Sequence, residues 1–265
     1  MSLDFDAGRP VVGMVHLDAL PGAPGFDGDR EAIRDAMLRD ARRLESGGVD
    51  ALMLENFGDA PFYADDVPKH VVASMAALAA DLRRETNLPL GVNVLRNDAD
   101  AAVSVAAAAG AQFVRVNVHA AARLTDQGIV TGAAAETVRL RERLGADVSI
   151  LADVDVKHSA PLAERPLSEE VAELVERGWA DGLVASGSGT GHATSLDHLR
   201  NVVAARDELD TDASVFVGSG VTRETVGEAL DVADCVIVGT ALKENEETTA
   251  SVDEQRVRRL VEEAR

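Results

Sequence analysis

The chain has very few residues of several kinds, and each scarcity argues against a class of protein. It has a single cysteine, so no disulfide framework can form within it, which favours a reducing cytoplasm. Its opening residues have neither the basic stretch nor the apolar stretch of a secretory signal. No apolar run approaches the roughly 18 residues that cross a membrane. We therefore expect a cytoplasmic protein with no membrane partner.

Basic residues are scarce relative to acidic ones. The chain has 26 lysines and arginines but 46 aspartates and glutamates. The resulting net charge of −20 disfavours binding to nucleic acid or anionic lipid. Only Lys69, Lys157 and Lys243 are lysines. An acidic, lysine-poor chain is typical of a high-salt cytoplasm, where carboxylates keep the surface hydrated and salt screens their repulsion. Most carboxylates are therefore interpreted as surface groups, whereas Lys157 and Lys243 follow apolar runs and stand out.

Aromatic residues make up only 3 % of the chain, so valine, alanine and leucine must fill its core. The apolar residues alternate between short strand-like runs and segments with helical spacing. The strand-like runs span 11–17, 51–57, 90–95, 113–118, 148–154, 181–187, 214–220 and 235–242. A doubly wound open sheet would need a Gly-rich turn after the first strand, where the chain reads HLDALPGAPGFDG. Eight strand–helix units therefore predict one (β/α)8 TIM barrel domain over 1–265.

Active sites of such barrels lie at the carboxyl ends of the strands, where this chain has many polar residues. The candidates are His16, Glu55, Asn56, Asn93, Arg115, Asn117, His119, Asp153, Asp155, Lys157, Ser186 and Thr190. Side chains two apart in a strand face the same way, so the candidates within 115–119 should face the barrel interior together, as should those within 153–157. A buried Arg115 needs either a carboxylate or a ligand phosphate. Both alternatives stay open.

The last two predicted strands end in glycine-rich turns that are suited to phosphate. Glycine lets backbone N–H groups approach an anion closely, and phosphate sites after the seventh and eighth strands recur in these barrels. The phosphate-binding candidates are Gly218, Ser219, Gly220, Gly239, Thr240 and Lys243, with a helix expected to open at Thr222. The chain has no HExxH, paired CxxC or EF-hand pattern. Asp153 and Asp155 could hold Mg²⁺, but two carboxylates at this spacing do not define a metal site, so we expect no metal or organic cofactor.

Taken together, the motifs resemble the BtpA/SgcQ family of (β/α)8 proteins. The matching segments run in order through nearly the whole chain: MVHLDALPGAPGF, DALMLENFGDAPFY, GVNVLRNDADAA, AQFVRVNVHAAARLTDQGIVTGAAAETVRLR, ILADVDVKHSAPL, ADGLVASGSGTG, VFVGSGVT and VIVGTALK. The tail ENEETTASVDEQRV is more acidic than is usual in the family. Together with the composition, the resemblance implies a haloarchaeal-type member connected with nucleoside breakdown. It thus implies a nucleoside phosphorylase, which converts a purine nucleoside such as guanosine, with inorganic phosphate as co-substrate, to the base and ribose 1-phosphate.

Phosphorolysis assigns hypothetical roles to the candidates. Asp153, Asp155, Lys157 and Glu55 would supply charge stabilisation or proton transfer for an oxocarbenium-like transition state. The other polar strand-end residues would bind the nucleoside, with Glu55 and Asn56 at the base edge, and the two glycine turns would hold the phosphate. A sugar-phosphate isomerase or aldolase is the first alternative, with Lys157 as an imine-forming amine or Glu55 as a base. A non-catalytic assembly factor is the second. A homo-oligomer is expected in each case.

Overall fold

The computed structural model describes residues 8–156, 158–187 and 194–265. Its strands are β1 (Val11–His16), β2 (Ala51–Glu55), β3 (Leu90–Asn93), β4 (Phe113–Val116), β5 (Ala122–Thr125), β6 (Gly128–Thr131), β7 (Ser149–Val154), β8 (Ser159–Pro161), β9 (Gly182–Ala185), β10 (Ser214–Val217) and β11 (Cys235–Val238). Eight of them form a closed parallel barrel in the order β1-β11-β10-β9-β7-β4-β3-β2. The predicted (β/α)8 fold is confirmed, and each barrel strand lies within one of the eight predicted runs.

Helices separate the barrel strands along the chain. They are α1 (Arg30–Gly47), α2 (Lys69–Glu85), α3 (Ala99–Ala109), α4 (Ala134–Leu144), α5 (Leu167–Ala172), α6 (Leu196–Asp207), α7 (Val226–Leu230) and α8 (Glu254–Ala264). A π-helical turn, Glu173–Arg177, continues α5. The helix that was expected to open at Thr222 starts only at Val226 and has five residues. It is therefore too short and too late to add a helix-terminal charge to the turn after β10.

Local sequence explains where several helices begin and end. The side chains of Asp29, Asp98 and Ser195 accept hydrogen bonds from backbone N–H groups three residues later, which caps the first turns of α1, α3 and α6. Gly110 and Gly145 close α3 and α4 with φ angles of 71° and 57°, a left-handed backbone that glycine adopts at little cost. These caps fix the points at which the chain enters and leaves the helices that connect the strands.

The barrel interior explains why the polar strand ends converge. Ten buried side chains form an inner cluster, namely Val12, Met14, Ala51, Met53, Phe113, Leu151, Val184, Phe216, Cys235 and Ile237. A side chain on Gly91 would clash with the Phe113 ring, since its Cβ would lie 2.1 Å from Cε2, so glycine makes room for this ring. Because side chains alternate along a strand, the residue two positions beyond each inner residue also faces inward. His16, Glu55 and Arg115 stand in this relation to Met14, Met53 and Phe113.

A small antiparallel sheet of order β6-β5-β8 lies outside the barrel sheet. Its strands come from the connections that follow β4 and β7, and the segment GIVTG supplies β6. The cross-strand pair Leu124 and Ile129 is exposed, whereas Val130 is buried with Val118 and Val156. Two neighbouring barrel connections are thereby joined at the carboxyl end of the barrel. Among the described helices, none is long and apolar enough to cross a membrane.

Candidate active site

A cavity of about 100 Å³ lies where the carboxyl ends of several barrel strands meet. Two chain turns form much of its wall, residues 218–222 after β10 and residues 239–241 after β11. The other residues that line it are Met14, His16, Glu55, Phe57, Arg115, Ile237, Val238 and Glu246. We call this space the glycine-lined cavity. It brings together eight of the predicted site residues, namely His16, Glu55, Arg115, Gly218, Ser219, Gly220, Gly239 and Thr240.

Strand pairing places His16 beside Glu55. The two residues are register partners of β1 and β2, and His16 Nε2 lies 3.7 Å from Glu55 Oε1. His16 Nδ1 lies 3.2 Å from the carbonyl oxygen of Thr248. A carbonyl only accepts hydrogen bonds, so Nδ1 carries the proton, and Nε2 is the nitrogen that faces the carboxylate. The Phe57 ring packs 4.8 Å from the imidazole, centroid to centroid. His16 and Glu55 therefore form an acid–base pair at the cavity wall, and the contacts with Thr248 and Phe57 hold the imidazole in place.

Arg115 is held by a buried carboxylate. Its Nε and Nη2 donate to the two carboxylate oxygens of Asp153, at 2.7 and 2.8 Å, and Nη2 also donates to Ser186 Oγ at 3.2 Å. Asn117 Nδ2 donates to the same carboxylate at 3.2 Å. Burial alone would lower the pKa of Arg115, but the Asp153 carboxylate outweighs it and the pKa lies above its ordinary value. The guanidinium therefore stays charged where it lines the cavity.

Asp153 is buried behind Arg115 and does not line the glycine-lined cavity. Its carboxylate is occupied by the arginine, the asparagine and, at 3.5 Å, the Ser186 hydroxyl. A bidentate pair of this kind fixes the plane of the guanidinium. The structure thus gives Asp153 the position of a group that orients Arg115. It does not place Asp153 where it would transfer a proton to a ligand in the cavity.

Two glycines bring the backbone close to these side chains. A Cβ on Gly218 would lie 2.4 Å from Val184 Cγ1 and 3.1 Å from Arg115 Nη2. A Cβ on Gly239 would lie 3.0 Å from His16 Cε1. Any larger residue would push the guanidinium or the imidazole away from the turn. The sequence therefore needs glycine here so that backbone and charged side chains can share one small cavity.

The loop after β9 is tied to the loop after β10. The backbone N–H of Gly187 donates to Ser219 Oγ at 2.8 Å, and Thr194 Oγ1 donates to the carbonyl oxygen of Ser219 at 3.3 Å. Ser219 thus anchors both ends of the segment that connects β9 to α6. The predicted site residues Thr190 and Lys157 lie outside the described residues.

The strand alternation that was predicted to align Asp153 with Asp155 ends between them. β7 ends at Val154, and Asp155 has a φ of 56°, so the strand alternation stops before it. Its side chain is 56 % exposed and accepts from Arg123 Nη2 at 2.5 Å. The two carboxylates therefore bind different arginines. Neither carboxylate lines the glycine-lined cavity, and both residues line a separate cavity of about 220 Å³ beside the small sheet.

His119 also departs from the predicted alternation. β4 ends at Val116, and the His119 ring turns toward the end of the π-helical turn that continues α5, where Nε2 donates to the carbonyl oxygen of Gly178 at 2.7 Å. Nδ1 is buried and has no hydrogen-bond partner in the described part of the chain. Burial lowers the pKa of His119, so its neutral form is favoured. It lines the same separate cavity as Asp155. The prediction that it faces the interior with Arg115 is wrong.

Asn56 and Asn93, the two candidate site residues at the ends of β2 and β3, make hydrogen bonds within the protein. Asn56 Oδ1 accepts from the Leu95 N–H at 2.7 Å, and its Nδ2 donates to Asp59 Oδ2 at 3.0 Å. The expectation that Asn56 reads a base edge is therefore corrected, because its amide joins the ends of β2 and β3. Asn93 Nδ2 donates to the carbonyl oxygen of Arg115 at 2.9 Å and to Asn117 Oδ1 at 3.3 Å. It supports the cluster around Arg115 and does not line the glycine-lined cavity.

Lys243 does not face the phosphate turns, and its prediction as a phosphate ligand is wrong. Its ammonium is buried and donates to Asp40 Oδ2 of α1 at 2.7 Å. The other Asp40 oxygen accepts from the backbone N–H of Val252 at 3.0 Å. The chain turns at 240–242, so the lysine side chain leaves the strand end on the helix side. The pair therefore ties the segment after β11 to α1.

Replacing Lys243 with methionine is expected to lower the free energy of unfolding by about 3–5 kcal/mol, because it leaves the Asp40 carboxylate buried without its counter-charge. Urea unfolding at fixed salt measures the change. Lys69 is an exposed lysine at the start of α2 and provides the matched control, for which Lys69→Met should cost no more than about 0.5 kcal/mol. Equal stability of the two variants would contradict a stabilising role for the buried pair.

A third cavity of about 340 Å³ adjoins the first. It shares Glu55 and Phe57 with the glycine-lined cavity and is otherwise lined by Phe62, Leu95, Arg96, Asp126 and His158. We call it the phenylalanine-lined cavity. Burial lowers the pKa of Arg96, although the Asp153, Asp126 and Glu55 carboxylates act in the opposite direction. Sequence reasoning did not identify Phe57 and Phe62 as cavity residues, because neither follows the strand alternation that identified the other residues.

The comparisons with known proteins agree with the fold. The BtpA family matches residues 7–265. The chain is 44 % identical to a protein of Thermococcus kodakarensis over 98 % of this chain and 96 % of the relative. It is 39 % identical to the photosystem I biogenesis protein BtpA of Synechocystis over 97 % of this chain and 88 % of that protein. The tryptophan synthase alpha-subunit of Pyrococcus furiosus is similar in structure, with a TM-score of 0.61, 19 % identity and coverage of 98 % and 99 %.

The structural similarity, at that low identity, shows the barrel fold alone. The sequence similarity is much stronger, and it extends over most of the length of both relatives. The family match and these relatives together settle the family. The chain belongs to the BtpA family.

Proposed function

We propose that the chain is an enzyme that acts on a phosphorylated sugar. One observation carries this proposal: the turns after β10 and β11 form a small cavity whose wall also holds a charged guanidinium and the His16–Glu55 pair. Backbone N–H groups at glycine turns and a fixed arginine together suit a phosphate dianion. A carboxylate and an imidazole beside the phosphate suit proton transfer on the sugar to which it is attached.

The first reaction that the geometry supports is proton transfer of the isomerase or aldolase class. Glu55 takes a proton from the hydroxyl-bearing carbon next to the sugar carbonyl, and the electron pair moves onto the carbonyl oxygen, which takes a proton from Nε2 of His16 in its doubly protonated form. His16 Nε2 then takes the proton of the neighbouring hydroxyl group while Glu55 returns its proton to the former carbonyl carbon, which completes an isomerisation with no other reactant. Imine chemistry would need a lysine at the site. Among the described lysines, Lys243 is buried against Asp40 and Lys69 is exposed on α2, so Lys157, which lies outside the described residues, is the candidate amine for an imine route.

Phosphorolysis of a nucleoside is the second candidate, and the junction of the two cavities at Glu55 favours it. Inorganic phosphate in the glycine-lined cavity would attack C1 of the sugar. The C–N bond would break, and the base would leave with the electron pair and take up a proton. Glu55 would stabilise the cationic sugar between the two groups. In reverse, the same reaction consumes ribose 1-phosphate, so both candidates share a phosphorylated sugar.

An assembly role, as the name of the Synechocystis relative describes for that protein, is the third possibility. It needs no small cavity in which a fixed guanidinium and an acid–base pair meet. Such groups are costly to bury unless they have partners, and the chain provides those partners for Arg115. The construction of this cavity supports catalysis over a purely structural role.

The test begins with phosphate. Calorimetric titration of inorganic phosphate should show saturable binding, and Gly218→Ala should weaken it about tenfold or more, because the new methyl group would displace Val184 or the guanidinium and lose a charge-assisted hydrogen bond. Gly227 is the matched control, since the nearest atom to its Cβ would be 3.9 Å away. Gly227→Ala should bind phosphate normally. Equal affinities of the two variants would contradict the assigned phosphate site.

The reaction is then identified by turnover at high salt. Pentose and triose phosphates are incubated singly to detect isomerisation or cleavage, and guanosine, inosine, adenosine and uridine are incubated with and without phosphate to detect release of the base. Phosphate-dependent base release would establish phosphorolysis, and conversion of a sugar phosphate alone would establish the first candidate. No turnover in either set, with a protein that binds phosphate, would leave the assembly role as the better account.

A further inference from the structure

The phenylalanine-lined cavity holds an unusual share of this chain's aromatic residues. The whole chain has six phenylalanines, one tryptophan and one tyrosine. Phe113 and Phe216 are fully buried in the barrel interior, as expected for large apolar side chains. Phe57 and Phe62 are only partly buried and face the same cavity. Partial exposure of an apolar ring is unfavourable, and a ligand that covered both rings would remove that exposed surface from water.

The polar groups of the cavity restrict what that ligand can be. Arg96 is buried at its wall, together with the Glu55 carboxylate, and Asp126 and His158 complete the polar lining. A guanidinium plane stacks on flat rings and donates hydrogen bonds in that plane. Two carboxylates accept hydrogen bonds from N–H groups and repel a second anionic group. A flat, uncharged ring with N–H donors meets all of these conditions.

The position of the cavity links it to the chemistry. Glu55 and Phe57 belong to both cavities, so a ring in the larger cavity would end at the carboxylate that faces His16. The carboxylate would then lie between a phosphate on one side and a ring on the other. A sugar is a connector of suitable polarity, because its hydroxyl groups can contact the buried polar side chains between the two spaces.

We propose that the phenylalanine-lined cavity binds an uncharged, planar nitrogen heterocycle with N–H donors, next to the phosphate in the glycine-lined cavity. This inference rests on the proposed function and narrows its substrate to a sugar that carries, releases or receives such a ring. The aromatic walls supply stacking, Glu55 and Asp126 accept from the ring N–H groups, and Arg96 donates to a ring nitrogen or carbonyl.

Binding of isolated rings tests this assignment. Hypoxanthine and uracil are uncharged heterocycles with N–H donors, and benzoate is a flat anion without them. In calorimetric titrations of the protein saturated with phosphate, at least one heterocycle should bind at least about tenfold more tightly than benzoate. Phe62→Ala should weaken that binding about tenfold, since stacking of a base on an aromatic side chain contributes about this much or more. Phe62→Leu, which keeps apolar volume without the ring, should fall between.

Tyr63 supplies the matched control, because it is the next residue along the chain and is 51 % exposed without lining the cavity. Tyr63→Ala should leave binding within about twofold of the parent. Tighter binding of benzoate, no saturable heterocycle binding, or affinity that is unchanged in both Phe62 variants would overturn the inference. Phosphate titrated alone separates the two proposals: phosphate binding without ring binding sinks only the ring site, and ring binding without phosphate binding sinks the proposed function.

Discussion

Replacing Arg115 with methionine is expected to lower the free energy of unfolding by about 3–5 kcal/mol. The substitution removes both hydrogen bonds to Asp153 and leaves that carboxylate buried, with only Asn117 and Ser186 to donate to it. A buried charge without its counter-charge is among the most destabilising changes in a protein interior. Urea unfolding at constant salt measures the loss, with circular dichroism to confirm that the variant is folded before titration.

A second substitution shows whether the loss comes from the stranded charge. Arg115→Met combined with Asp153→Leu removes both charges at similar volume and should recover much of the stability. Arg42 and Glu85 form an ion pair on the surface, with side chains 60 % and 38 % exposed, and provide the control. Arg42→Met should cost less than about 1 kcal/mol. If the double variant is no more stable than Arg115→Met, or if Arg42→Met costs as much, the explanation is wrong.

The strand alternation in the sequence was sufficient to predict several residues that line the glycine-lined cavity. His16, Glu55 and Arg115 each follow an inward-facing core residue by two positions, and all three strands keep their alternation up to that point. The two glycine turns were predictable because glycine is the residue that fits where backbone and side chains lie too close for a Cβ. Glycine in the sequence therefore indicates such close approach. These predictions therefore rested on the regular geometry of the strands and on the absence of a side chain in glycine.

Predictions failed for residues that lie beyond the last residue of a strand. Asp155 and His119 lie beyond the last residues of β7 and β4, and there the backbone no longer alternates. Lys243 was misplaced for a related reason, since the chain turns at 240–242 and sends the ammonium to Asp40, which is 203 positions away in the sequence. No local pattern specifies a partner at that separation. Its scarcity marked the lysine as important without indicating whether it served stability or binding.

The phenylalanine-lined cavity shows a further limit of sequence reasoning. Phe57 and Phe62 follow β2 in an irregular segment, and Asp126 comes from the turn between β5 and β6. Two separate connections of the chain must fold before these residues meet. Composition gave one useful signal, because a chain with 3 % aromatic residues has few to leave partly exposed. Because aromatic residues are scarce and these two line a cavity, Phe57 and Phe62 are candidates for ligand contact.

Replacing Glu55 with glutamine should lower kcat on the substrate identified by the turnover screen by about 10² or more, the usual contribution of a positioned acid–base group. Glutamine keeps the size and the hydrogen-bonding oxygen of the side chain but cannot take up a proton or stabilise a cation as a carboxylate does. Phosphate affinity should not fall, since removing a negative charge next to the anion does not weaken its binding. Steady-state kinetics and phosphate titration of one preparation separate these effects.

Glu246 is the matched control for this experiment, because it lines the same cavity while its side chain is 63 % exposed and paired with Arg256. Glu246→Gln should change kcat by less than about threefold, as expected for a carboxylate that water already surrounds. A loss of phosphate binding in Glu55→Gln with unchanged kcat would assign Glu55 to binding alone. Comparable losses of kcat in both variants would mean that the negative charge of the cavity matters and that neither carboxylate transfers a proton. A large loss of kcat that occurs in Glu55→Gln and not in Glu246→Gln is the result that supports a role for the Glu55 carboxylate in the reaction.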